Sequence, residues 1–451
     1  MAYRRARGSL FTGILLIIFG GLFLAARLYP SLEIGHILFR YWPVILIIWG
    51  VTLLLERTVT QRPGEVRAPG PRGGEVLLLL AMLILAAGFI GWSAFWHRAP
   101  QWGISSNWMR KSASASQELQ AVTVPAGSRI QIYTPAGDVT VHAASGDDLR
   151  VVAKITAYAW DDRGAERKLP QINVALTQQA DGYKVQPNMG PQGGDAHVDL
   201  DVEVPMDVVI NAQSGSGDVS ISDVNGNVSV TTYNGDAELH NITGDVDITS
   251  RHGDTSVTSA TGDVRLNGAG GEVELTDVGG NATIQGEFYG PIRLKNIEKT
   301  AHFTSSRTDL VAEQLTGHME TDSGSIEIAD TGGAVKLATR EKDVTLENIG
   351  GRIDLSDKHG DVDVRLSQTP HNPITLTNES GDITLTLPED SSFTINAASH
   401  SGDIDSEFEG MSLSLQKTEH NGNLSGSYGN GGEVPIDLTT SYGTISLHKA
   451  M

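Results

Sequence analysis

Residues Gly217 to Ile248 read G-D-V-S-I-S-D-V-N-G-N-V-S-V-T-T-Y-N-G-D-A-E-L-H-N-I-T-G-D-V-D-I, and one phrase returns in them every nine residues. The interval holds at Gly253, Gly262, Gly271 and Gly280, and further copies follow with slips in spacing at Gly290, Gly317, Gly324, Gly333, Gly351, Gly360, Gly381 and Gly402. A short fixed period marks a solenoid, in which each unit buries its apolar face only against its neighbours.

The phase inside a unit specifies a strand. Counting the glycine as zero, positions two and four are apolar (Val219 and Ile221, Val246 and Ile248, Val264 and Leu266) and position three is polar, a two-residue alternation with one buried face. The preceding pairs, Gly217-Asp218, Gly235-Asp236, Gly244-Asp245, Gly262-Asp263 and Gly360-Asp361, are turn signatures. Glycine accepts positive φ, and the short acidic side chain is expected to bond its own backbone.

Position seven fixes the coil. Val224, Ile242, Ala260 and Val278 recur every eighteen residues and the series resumes at Ile297, Leu315 and Ile349, while the other half-repeat offers Tyr233, Arg251, Arg307, Arg340 and Lys358. Two unlike strands per coil, stacked about 4.8 Å apart, give roughly twelve coils and a rod on the order of 60 Å long. The expectation is a mainly β fold, a single-stranded right-handed parallel β-helix over 214–451. One hairpin per pair of units competes with it, but would need a turn chemistry that alternates along the chain. On the parallel reading Ile242 points inward and Glu238 outward.

Charge divides the chain. Of 451 residues with net charge −21, the first 96 carry nine Arg against four Glu, and the acidic excess falls entirely on the remainder. An acidic rod disfavours nucleic acid and anionic membrane as partners. The chain has no cysteine, so neither disulfides nor thiol catalysis enter.

Apolar runs at 10–28, 37–55 and 76–96 have the length and composition of three membrane helices, with Tyr29, Tyr41, Trp42, Trp92 and Trp96 near their ends. Arg4, Arg5 and Arg7 precede the first run, and Arg57, Arg62, Arg67 and Arg72 crowd the loop before the third. The positive-inside rule puts both basic segments in the cytoplasm and everything after Trp96 outside the cytoplasmic (inner) membrane, in the periplasm or the extracellular space. A cleaved signal peptide ending near Ala25-Ala26 is the competing reading of the first run. Residues 97–118 then read as a juxtamembrane linker whose Trp102, Trp108 and Met109 can rest on the bilayer, and 119–213 as a β cap on the first coil. Within that cap, Trp160 to Pro170 reads as an exposed excursion. Val434-Pro435-Ile436-Asp437-Leu438 and Gly443-Thr444-Ile445-Ser446-Leu447 read as the last strands at the far end.

Gly13 to Ala25 (G-I-L-L-I-I-F-G-G-L-F-L-A) and Tyr41 to Leu55 (Y-W-P-V-I-L-I-I-W-G-V-T-L-L-L) resemble the LiaI/LiaF-type membrane region of bacterial envelope proteins. From about Leu119 the chain is similar to the adhesin-type β-strand-repeat family, through Val204-Pro205 and Ser214-Gly215-Ser216-Gly217-Asp218-Val219. That resemblance implies a right-handed β-helix and, for some members, a place beside regulators of envelope stress; it brings no catalytic residues. The third apolar run and its Arg-rich loop depart from a two-helix sensory topology.

The turns and one ridge are the two places where the residue types admit chemistry. Toxin-type calcium rolls need G-G-x-G-x-D, whereas each unit here has one glycine with the aspartate directly after it, so no metal or cofactor is implied. Arg251, Arg307, Arg340 and Lys358, with Asp254 and Asp361, form the one candidate anion-facing ridge. The histidines show no H-E-x-x-H spacing, and no G-x-S-x-G elbow or phosphate loop is present. Two function classes follow: a non-enzymatic membrane-anchored module that presents the rod to an envelope or membrane protein, for stress sensing or adhesion, or a tethered carbohydrate-binding or carbohydrate-processing β-helix. The near absence of Trp from the repeats disfavours the second.

Overall fold

The structure, a computed structural model, describes residues 111–189, 195–409, 413–417, 421–429 and 434–450. The three membrane-helix segments and the linker before Lys111 lie outside these residues. Among the described residues no helix is long and apolar enough to cross a membrane.

From Val219 to Phe288 the repeats build a solenoid of two strands per coil. Strands Val219–Val224, Ala237–Ile242, Thr255–Ala260 and Val273–Val278 stack in parallel on a first face, and Val228–Thr232, Val246–Ser250, Val264–Gly270 and Ala282–Phe288 on a second. Register advances by eighteen residues per coil, as in Val224↔Ile242↔Ala260↔Val278. Val219, Ile221, Val224, Ile242 and Val278 are wholly buried and Glu238 is exposed, so the strand phase read from the sequence is the one adopted. At about 25 cal/mol per Å² of apolar surface, these columns are the main stabilising term of each coil.

A uniform single-stranded helix does not continue to the end. Strand Ile292–Thr304 runs across both faces, pairing with the first at Val278↔Ile297 and with the second at Ile284↔Phe303. The chain then reverses, and Asp309–Thr321 lies antiparallel along its whole length, with Ile297↔Leu315 and Phe303↔Leu310 as partners. A second reversal at Asp322 returns the chain to its original direction, and parallel stacking resumes through Ser325–Thr331 and Val335–Ala338. Local chemistry makes both turns. Ser305 Oγ accepts from the N–H groups of Arg307 and Thr308, and the Asp322 carboxylate accepts from those of Gly324 and Ser325, each at 2.7 Å.

Both ends depart from sequential stacking. The coil Arg129–Ala144 lies between Gly182–Pro205 and Val209–Val224, although the former follows it in the chain. The C-terminal strands Val434–Tyr442 and Ile445–Ala450 likewise insert between Ile374–Pro388 and Phe393–Ser406. They are therefore not the outermost coil that the sequence reading made them. Antiparallel strands close the outer edges: Asp148–Ala159 on Ala196–Pro205 at one end, Gly422–Tyr428 on Phe393–Ser399 at the other. Phe393, Phe408 and Tyr428 pack ring against ring there, with centroids 4.9 to 5.5 Å apart.

The last third of the segment read as a linker is a strand, Lys111–Glu118, paired antiparallel with Asp148–Ala159. Its alternation of Ser and Ala carries no apolar signal because it covers an edge rather than a core. Gln117 joins it to the opposite face by bonding both the N–H and the C=O of Val174, each at 2.9 Å. Within Trp160–Pro170 a seven-residue helix, Asp162–Lys168, is capped by Asp161 and buries Ala165.

Candidate functional site

The Gly-Asp corners hold the coils together. Asp218 Oδ1 accepts the N–H of Asp236 at 2.8 Å, Asp236 Oδ1 that of Asp254 at 2.7 Å, and Asp254 Oδ1 that of Glu272 at 2.7 Å. The corners of the other face repeat the pattern, Asp245 accepting from Asp263 and Asp263 from Asn281 at 2.9 Å each. In the C-terminal part, Asp361 accepts from Asp382 at 2.9 Å. The sequence reading gave these aspartates bonds to their own backbone; the structure directs them to the next coil. The stacking geometry explains this, since the corner N–H one coil up has no strand partner and a carboxylate satisfies it with a charge-assisted bond. At Asp263 the Asn281 N–H holds the carboxyl below its ordinary value against the opposing effect of desolvation, aided by the Asn281 amide and by Arg265.

Glycine precedes each aspartate because of close approach. At Gly235, with φ +149°, an added Cβ would lie 2.2 Å from the Gly217 carbonyl oxygen of the coil below. The stacked main chains leave no room for a side chain.

A second ladder runs along the opposite corner. Asp223, Asn241, Ser259, Asp277, Asn296, Gln314, Asp330 and Asn348 all have φ between 51° and 62°. Short polar residues tolerate this left-handed conformation best, and side-chain bonds between coils hold it: Asn241 donates to Asp223 at 2.8 Å, Asn296 to Asp277 at 2.7 Å, Asn348 to Asp330 at 3.0 Å. Sequence reasoning passed over this column. Its signal is present at position six of alternate units, which reads D, N, S, D from Asp223 to Asp277.

The anion-facing ridge does not assemble as a continuous cluster. Arg251, Arg307, Arg340 and Lys358 are all exposed. Arg251 lies over the Tyr233 ring, 5.1 Å from its centroid, but the coils above it contribute Ala269 and Glu287. Arg307 sits in the reversal turn, where it pairs with Glu341 at 3.3 Å, and the strand of Lys358 stacks next against that of Glu379. Surface pairs of this kind contribute about 0–1 kcal/mol. Neither Asp254 nor Asp361 is placed with these cations by any ion pair; both serve the corner ladders.

Inside the same corner runs a buried polar column. Ser214, Thr232 and Ser250 stack on one another, and in the C-terminal part Asp357, Asn378, Thr440 and Ser399 do the same. Asn378 Nδ2 donates to the Gly360 carbonyl at 2.7 Å, and Ser399 Oγ to that of Gly443 at 2.8 Å. Asp357 is 2 % exposed and neither of its carboxylate oxygens makes a hydrogen bond of good geometry. Burial pushes its pKa up, and the N–H groups of Lys358 and His359 offset this only in part. Among the described residues no group of three His, Asp or Glu side chains is placed to hold a metal ion.

A β solenoid with repeated corner ladders, in a chain that also carries apolar runs of membrane length, defines a class of membrane-tethered repeat proteins. The chain belongs to the Toastrack DUF4097 family, whose model matches residues 127–328 and again 289–448. The two matches overlap on the reversed strand pair, so the reversal lies where one family unit gives way to the next. Residues 10–54 match the LiaI-LiaF-like transmembrane region. The chain is thus a membrane-anchored envelope protein.

No curated protein matches it. Similar solved structures include a candidate cell adhesion protein from Clostridium sporogenes, 7% identical, covering 75% of this chain and 100% of that one with a TM-score of 0.18. A candidate adhesin from Bacteroides fragilis is 12% identical over 75% and 97% of the two chains, TM-score 0.17. A candidate lipid-binding protein from Parabacteroides distasonis is 8% identical over 74% and 96%, TM-score 0.20. At these TM-scores the similarities bear on neither site nor activity.

Proposed function

We propose that this protein is a non-enzymatic module that holds an acidic β rod outside the cytoplasmic membrane for contact with another envelope or membrane protein, in stress sensing or adhesion. The observation that carries the reading is the union of a LiaI-LiaF-like transmembrane region with two Toastrack units in one chain. Many of the rod's polar groups serve its own architecture: corner carboxylates bond the next coil, and Arg307, Arg352 and Arg365 pair with local acids. Three membrane helices, a cytoplasmic N-terminus and a cytoplasmic Arg67 loop complete the proposal, with 119–213 capping the rod of 214–451.

Single cysteines at Ala2, Arg67 and Ser425 test the topology against a cysteine-free background. An impermeant thiol reagent applied to intact cells is expected to label position 425 alone. Labelling at 67 without labelling at 425 overturns it. Photocrosslinkers at Tyr233 and Arg251 are expected to trap a membrane or envelope protein, and crosslinking only within the chain counts against the interaction role.

A further inference from the structure

One strand pair of the stack is held by residues far from it in the chain. Val434–Tyr442 and Ile445–Ala450 fill a slot walled by Ile374–Pro388 on one side and Phe393–Ser406 on the other. Ile436 lies between Ile374 and Ile395, Leu438 between Leu376 and Ala397, and Ile445 between Ile383 and Ile404, and all three are wholly buried. The polar bonds follow the same rule. The Thr444 N–H donates to Asp382 at 2.7 Å, Thr440 Oγ1 to the Gly381 carbonyl at 3.2 Å, and Ser399 Oγ to the Gly443 carbonyl at 2.8 Å. At the other end of the last strand, Lys449 donates its N–H to Glu407 at 2.8 Å and its ammonium to Glu389 at 3.0 Å. Each of these bonds spans more than forty residues of sequence, so a second copy of the chain offers the same partner atoms.

The tether sets this pair apart from the other interleaved coil. Arg129–Ala144 also lies between coils that do not flank it in the chain, but described strands precede and follow it, so it cannot leave without dismantling them. Residues 434–450 are joined to the described stack through 429–433 alone, G-N-G-G-E. Tyr428 and Val434 flank Phe393 on opposite sides, so within one chain this connection bridges two strand spacings, about 9.6 Å. Fully extended, the six steps from Tyr428 to Val434 reach about 20 Å, enough to lead into a neighbouring slot.

Exchange would alter no contact of the strand pair, only its connection and the local concentration of slots. Membrane anchoring raises that concentration by confining copies to one plane. We propose that this slot accepts residues 434–450 of a second copy, so that two anchored chains exchange their last strands and form a dimer. The inference goes beyond the interaction role above by naming a second copy as partner. It stands on strand order and anchoring, whichever side of the membrane the rod occupies.

The test uses full chains in their own membrane. Thr377 and Thr439 are ladder partners with side chains outside the core, and parallel neighbours about 4.8 Å apart lie within disulfide reach. Thr377→Cys and Thr439→Cys are placed on separate chains with different tags, coexpressed, and oxidised in isolated membranes. Thr231→Cys and Thr249→Cys, partners in the regular stack, control for collision. A cysteine held in the slot meets its partner at high effective concentration, so the first pair is expected to give about tenfold or more of the doubly tagged, disulfide-linked dimer. Deleting 430–433 leaves Gly429 alone between Tyr428 and Val434, a reach of about 7 Å that cannot bridge two strand spacings within one chain. With both slot cysteines on one chain, this shortened variant is expected to run entirely as a crosslinked dimer, and the parent as a mixture of dimer and internally bridged monomer. The proposal is overturned if the slot pair links separate chains no more than the control pair does, or if the shortened variant runs as a monomer.

Discussion

The coils from Val219 to Phe288 and those from Ser325 to Ala450 use the same cross-section, yet only the first set stacks in chain order. In the first, each coil's partner is the next eighteen residues, and apolar columns, corner aspartates and left-handed corners all keep one period. In the second, register steps by twenty-one residues at Ile374 and by sixty-two at Ile436, because the C-terminal strands insert into the stack. Nearest-neighbour stacking needs only local repetition, whereas insertion needs a segment that satisfies two edges made elsewhere. The first set therefore stands on equivalent interfaces throughout, whereas the second adds to such interfaces, at Ser325↔Asp343, Val335↔Ile353 and Val344↔Val362, one inserted strand pair that joins its last coils.

Removing that pair separates the halves most sharply. Truncation of the β domain after residue 433 leaves the edges of Ile374–Pro388 and Phe393–Ser406 facing each other unpaired. Calorimetry is expected to show loss of the transition of the C-terminal half while the N-terminal half still melts cooperatively. A merely frayed end, with the second transition retained, would mean that the last strands lie outside the stack.

Within the regular half, Ile242→Asp buries a carboxylate without a partner and is expected to cost about 4 kcal/mol or more, or to unfold adjacent coils. Glu238→Lys, exposed four residues away, is expected to change stability by no more than about 0.5 kcal/mol. Denaturant titration followed by circular dichroism reads both, and equal sensitivity of the two sites would contradict the observed burial.

In the irregular half, Asp357 offers a gain. One coil above it, Asn378 fills the same column and donates to the Gly360 carbonyl, so Asp357→Asn supplies the donor that this position lacks. It is expected to stabilise the domain by about 1 kcal/mol at pH 7. The pH dependence has a definite sign. A carboxyl raised in the fold binds its proton more tightly there than in the unfolded chain, so Asp357 favours the folded state below its unfolded value and loses that contribution as pH rises through its folded value. Asp263, Glu287 and Asp322, each held below its ordinary value chiefly by main-chain N–H bonds, do the reverse and lose their contribution as pH falls. The Asn variant should therefore gain more at pH 7 than near pH 4, and equal gains at both would refute a buried charge.

The smallest effect is expected from calcium. Each corner carboxylate already accepts a main-chain N–H from the next coil, so melting of the β domain in chelator and in excess Ca²⁺ should coincide. Stabilisation by about 3 kcal/mol at a hundredfold excess over the dissociation constant would instead reveal a structural ion.

The amino-acid sequence by itself determined the cross-section of the rod. Val219, Ile221, Val224 and Ile242 announce their burial through period-two alternation inside a period of eighteen, because a parallel coil repeats its neighbour's environment and the chain must repeat its residues to match. Even the reversal left a trace, as no glycine occurs between Gly290 and Gly317, where the two long antiparallel strands run. Only the tertiary structure decided which coil neighbours which at the ends, and where Asp218 and its kin send their carboxylates. These depend on contacts between residues distant in the chain, whose free energy is set by the edge or cavity they meet and not by the local pattern that carries them.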